Sequence, residues 1–152
     1  MKLAEALILR ADRQKRFEQL KSRLLTNARI QEGDEPAEKP QDLLAEVERV
    51  ADELVDLIKR INKTNSTTVL ADGKSISDVL AERDVLALRR TAYSDLALNA
   101  AIAHGRLTRS EIKYVSTVNV AEIQKRADEL ARSYRELDAR IQELNWQTEL
   151  TE

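Results

Sequence analysis

The chain has 152 residues, of which 42% are hydrophobic and 34% charged, with three glycines, two prolines and a formal net charge of −2. That balance is too apolar for a disordered chain and too poor in turn residues for an all-β fold, and the length suffices for one buried core. The absence of cysteine excludes disulfides, thiolate nucleophiles and cysteine-ligated metals.

The chain opens with MKLAEALILRADRQKRF, a short apolar run in which charge resumes at Arg10. It lacks the long apolar region and small-residue cleavage site of a signal peptide. No run approaches the ~18 apolar residues of a membrane span. A soluble, cytoplasmic protein is therefore expected.

Four helical segments are predicted, over about 2–31, 42–64, 76–103 and 120–147, as a single helical domain covering 1–152. The first ends in EGDEPAEKP, where Gly33, Pro36 and Pro40 mark a loop. The second carries Val47, Val50, Leu54, Leu57 and Ile61 in unbroken three–four spacing, so one of its faces is a packing seam. It decays through NKTNSTT, whose polar side chains compete for backbone hydrogen bonds.

Next comes the β-prone run TTVL, followed by the turn pair Asp72-Gly73. Ser75 and Asp78 then form an S-x-x-D start for the third helix. Gly105 marks its end, with His104 placed to cap its C-terminus. A second β-prone stretch, RSEIKYVSTVN over 109–119, precedes the fourth helix, for which Asn119 and Glu122 fit the cap and third positions. That last helix has the cleanest periodicity, through Val120, Ile123, Ala127, Leu130, Tyr134, Leu137, Ile141 and Leu144.

This order predicts an all-α fold: long antiparallel helical hairpins forming a bundle, with TTVL and IKYVSTV paired as a minor two-stranded β clasp. In that clasp Ile112, Tyr114 and Val118 face the helices and Lys113 faces water. Local charge supports the first hairpin. Residues 1–31 hold eight bases and three acids, and residues 32–56 hold ten acids and two bases. Opposite signs on neighbouring helices select their register, although each exposed pair contributes only about 0–1 kcal/mol.

No catalytic constellation emerges. His104 is the only histidine, there is no E-x-x-H pair, no P-loop and no G-x-G-x-x-G, and no serine or threonine sits in a recognisable nucleophile motif. Neither a metal nor a cofactor is expected. The strongest polar anomaly is AERDVLALRR, where Arg83, Leu86, Arg90 and Tyr93 share a helical stripe beside Asp84. Arginines in an apolar stripe need carboxylate partners, so Arg83, Asp84 and Arg90 form a candidate buried ion-pair network or anion site. Arg10 and Arg13 interrupt the first helix in the same way.

Apolar residues also exceed what one core can take. In the third helix Val85, Leu86, Leu88, Tyr93 and Leu96 share a broad face, whereas Leu98 and Ile102 sit on another side. Leu25, Ile30, Trp146 and Leu150 are extra apolar residues elsewhere. A homo-oligomer is expected, with Leu98, Ile102 and Trp146 as candidate interface residues.

The stretches MKLAEALILRAD, RIQEGDEP, RINKTN, AERDVL, SEIKYVSTV and IQELNWQTEL together resemble a bacterial family labelled septicolysin, over nearly the whole chain. The resemblance implies a helical fold without established catalytic residues, and the label implies a pore-forming cytolysin. The residues themselves offer no alternating hairpin long enough to cross a bilayer. They favour a non-enzymatic structural or protein-interaction protein that self-associates. The alternative is a module binding nucleic acid or a small anion through the basic residues of helices one and three.

Overall fold

A computed structural model describes residues 1–101 and 112–152. Ile102, His104, Gly105 and residues 109–111 of the β-prone insert lie outside the described residues, and so do the end and the cap expected for the third helix. The described chain is all-α, with α1 (Leu3–Thr26), α2 (Pro40–Thr67), α3 (Ile76–Ala100) and α4 (Val120–Gln147). It divides into two compact units, one of Met1–Ile76 with Gln142–Glu152 and the other of Ser77–Ile141.

In the first unit α1 and α2 form an antiparallel hairpin. Its core is Leu20, Leu43 and Val50, with Phe17, Leu24, Val47 and Leu54 packed against them. The predicted α2 seam is therefore the buried face, and it continues through Leu57 and Ile61. α1 ends five residues before the periodicity predicts. Asn27 stops it by donating from its side-chain amide to the Arg23 carbonyl (2.9 Å), while its Oδ1 accepts from the Glu38 amide (3.1 Å) and draws the loop back. Pro40 begins α2 instead of closing the loop, since proline suits the first helical position, where no N–H partner is needed.

α2 also runs on through most of NKTNSTT, to Thr67. The Thr64 and Thr67 hydroxyls donate back to the carbonyls of Arg60 and Lys63 (both 2.8 Å), so the polar side chains follow the helix instead of unwinding it. Thr64 is fully buried, and its oxygen accepts the Thr151 amide at 2.9 Å. The segment after α4 is tied in further by Leu3 N to Thr148 O (2.9 Å) and Leu150 N to Met1 O (2.8 Å). Leu150, read from sequence as surplus, is thus buried against its own unit.

The β clasp is absent: no strand is present among the described residues. TTVL folds back on its own continuation instead. Val69 bridges Ser75, Leu70 N donates to Lys74 O (2.8 Å), and Gly73 turns the loop at φ +82°. Those bonds pair the first run with its own continuation in place of the second run. Ile112 and Tyr114, expected to face the helices, are each 89% exposed, and only Val118 is half-buried. What does hold is the start of α4, where Asn119 Oδ1 accepts the Glu122 amide at 3.2 Å.

The second unit buries Val79, Ala97, Ala127, Leu130 and Ile141 among its described residues. Two of these five are alanines, so the described part of this unit has fewer large buried side chains than the first unit.

Candidate interaction surface

The polar anomaly of α3 resolves into an ion pair. Arg83 Nη1 donates to Asp138 Oδ1 of α4 at 3.0 Å, and its Nη2 reaches Asp84 at 3.3 Å. Burial disfavours the Arg83 cation, but the hydrogen bonds to Asp138 and Asp84 outweigh it and hold the guanidinium above its ordinary value. Arg90 is exposed and does not join the group. Asp138, which lies 55 residues away and occupies a half-buried position on α4, completes the pair. No local motif announces it.

Three basic residues of α1 face acids of α2 and of the loop that precedes it. Arg13 pairs with Glu53 and Arg16 with Glu46, each at 2.6 Å, and Arg23 clasps Glu38 through both carboxylate oxygens. Arg49 links Glu46 to Glu53, so five side chains form one chain of charge. The Arg23 hydrogen bond lowers the Glu38 pKa and the Arg16 bond lowers that of Glu46; Glu38 in turn raises that of Arg23. Glu149 is likewise lowered, by its bond to Lys2. Among the described residues, no group of three or more histidines, aspartates or glutamates is placed to hold a metal ion.

The apolar residues of α3 part into two faces. Val79 and Ala97 are buried and Leu86 and Tyr93 half-buried on one face. Ala81, Val85, Leu88, Ala92 and Leu96 all lie exposed along another. At 100° per residue these stripes are centred about 130° apart, too far for one core to take both. The broad face read from sequence joined Val85, Leu88 and Leu96 to Leu86 and Tyr93, and the structure separates them. The signal that divides them is the 81, 85, 88, 92, 96 spacing taken by itself. Leu88, at the centre of this contiguous stripe, is 70% exposed.

A shallow groove of about 480 Å³ runs beside the outer stripe, lined by Ala81, Glu82, Val85, Leu86 and Arg89. Its rim carries both signs of charge. A second apolar groove, about 420 Å³, is lined by Met1 and, on α1, by Ile8 and Leu9 with Glu5 and Asp12, so the charged side chains among its described lining are acidic. Of the candidate interface residues, Leu98 is 75% exposed but lies outside the stripe, about 120° around α3. Trp146 is 54% exposed, on α4 within the first unit. Ile102 lies outside the described residues.

No helix among the described residues is long and apolar enough to cross a membrane. No curated protein matches the chain. A functionally unknown conserved protein from Corynebacterium diphtheriae, known from its crystal structure, is 49% identical, with 99% of each chain covered and a TM-score of 0.93. The septicolysin resemblance is corrected by these findings, because neither that protein nor the matching family carries the label. Over residues 10–150 the match is to a family of unknown function, DUF6847, and the chain belongs to that family.

Proposed function

We propose that this is a non-enzymatic helical interaction protein whose outer α3 face packs against the same face of a second copy. The observation that carries this reading is the exposed stripe Ala81, Val85, Leu88, Ala92 and Leu96, opposite a face of the same helix that is already packed. An apolar stripe of this length on a mid-chain helix is costly to leave in water and has the spacing of a helix–helix seam. The second copy is favoured over an unrelated partner by the rim, where acidic Glu82 and basic Arg89 lie on either side of the Val85–Leu88 centre. Such a rim complements itself. The acidic rim of the α1 groove does not. In keeping with a non-enzymatic role, the shifts at Arg23, Glu38, Glu46, Arg83 and Glu149 among the described residues are each accounted for by an ion pair.

The nucleic-acid reading is weakened on α1, where Arg13 and Arg16 are matched to carboxylates of α2 and Arg23 to Glu38 in the loop before it. The stripe from Ala81 to Leu96 is ~23 Å long, so one seam covers less than the ~800 Å² per partner of a standard interface. A seam of this size suits a reversible association. Sedimentation equilibrium at 1–100 µM tests it. Wild type is expected to exceed the 17.3 kDa of one chain, and Leu88→Asp to remain at that mass with unchanged helicity. A single-chain mass for wild type across that range overturns the reading.

A further inference from the structure

We infer that two copies pair through α3 in antiparallel fashion about a two-fold axis between Val85 and Leu88, with the register set by Glu82 of each chain meeting Arg89 of the other. The inference rests on the self-association just proposed and adds its direction and register.

The geometry follows from position along one helix. With the axis between Val85 and Leu88, each Val85 lies against Leu88 of the other copy, and each Ala81 against Ala92. Glu82 and Arg89 fall on the same flank of this seam, seven residues apart, and both line the groove beside it. In antiparallel helices a flank faces the same flank of the partner, so the two-fold makes two Glu82–Arg89 pairs. Glu82 is already engaged within its own chain. A carboxylate has two acceptor oxygens with about four lone-pair sites, so it can take a further donor. Moving the axis one step toward the C-terminus, onto Leu88, would set Arg89 against its own copy and lose both pairs. The charges therefore choose between registers that the apolar stripe alone leaves nearly equal.

A parallel arrangement would instead bring Arg89 toward Asp84 of the other copy. Asp84 already receives Arg83 of its own chain at 3.3 Å and, like Glu82, could take a further donor; what disfavours the parallel form is that it sets like ends of the helix dipoles side by side. On the opposite flank of the antiparallel seam Asp84 meets Thr91, which carries no charge.

Two charge reversals test the arrangement. Glu82→Arg alone sets a second cation against Arg89, and Arg89→Glu alone sets a second carboxylate against Glu82. Each variant should therefore self-associate about tenfold more weakly than wild type. An equimolar mixture of the two variants restores an attractive pair between unlike chains, and its association should recover toward the wild-type range. A parallel dimer gains nothing from mixing. As a second readout, the cysteine-free chain allows Ala81→Cys and Ala92→Cys to be made separately. Oxidation should join Ala81→Cys to Ala92→Cys chains in the mixture and join neither variant to itself. Wild type that associates while the mixture stays as weak as the single variants, or disulfides that form within each variant alone, would overturn the antiparallel register and leave self-association standing. Wild type at the mass of a single chain would overturn both.

Discussion

α2 and α3 are of similar length and differ in how their apolar residues are distributed. α2 has one continuous apolar seam, which is buried, with only Leu44 and Val55 among its large apolar residues exposed away from it, and its surface also carries charges that pair with α1. α3 has apolar residues on two faces and buries one of them. A helix with one apolar stripe has its place decided by its own hairpin. A helix with two has a surface left over, and in this chain that surface is where an interaction is most readily accommodated.

Truncating one residue on each helix sharpens the contrast most. Ile61→Ala removes a side chain that is 1% exposed, and should destabilise the fold by about 2–5 kcal/mol, since the cavity cannot collapse fully. Leu88→Ala should change stability by no more than about 0.5 kcal/mol when the chain is dilute enough to be unassociated. Thermal or urea unfolding followed by circular dichroism measures both, and similar losses at the two sites would mean that the outer face of α3 is not free.

The paired charges of the hairpin give a smaller effect, visible with pH. Glu38 and Glu46 have pKa values below the usual 4.5 in the folded chain. Their contribution is therefore complete above the unfolded value and is lost as pH falls through the lowered folded values. The melting temperature should be level, as far as these groups are concerned, from neutral pH down to about 5 and should fall below it. Glu38→Gln should flatten part of that acid slope. An unchanged slope in the variant would mean that the Arg23–Glu38 pair does not persist in solution.

The smallest effect belongs to the former clasp. With Ile112 and Tyr114 each 89% exposed, replacing either with alanine should shift stability by less than about 0.5 kcal/mol. A loss of several kcal/mol from either would restore the packed facing read from the sequence.

Much of the fold was legible because it is local. The α2 seam, the S-x-x-D start at Ile76, the Asn119–Glu122 cap of α4 and the opposite charges of α1 and α2 all depend on residues within a few turns of one another or on neighbouring helices. Two of the differences have local causes. Where side chains choose among nearby backbone partners, as at Asn27, Thr64 and Thr67, composition indicated competition but not which partner wins. Where β-prone runs were expected to meet, Gly73 returned TTVL to its own continuation, an outcome equally compatible with the same residues.

By itself, then, the sequence determined that the protein is helical, where α2 and α4 present their seams, and that α3 carries more apolar surface than one core can use. Only the tertiary structure decided that Asp138 completes the Arg83 pair, that Leu150 is buried in its own unit, and which of the two α3 stripes stays in water. Helix formation and capping are set by contacts a few residues apart, which spacing records. Which face is covered depends on residues brought together from tens of positions away, and spacing along the chain carries no record of that distance.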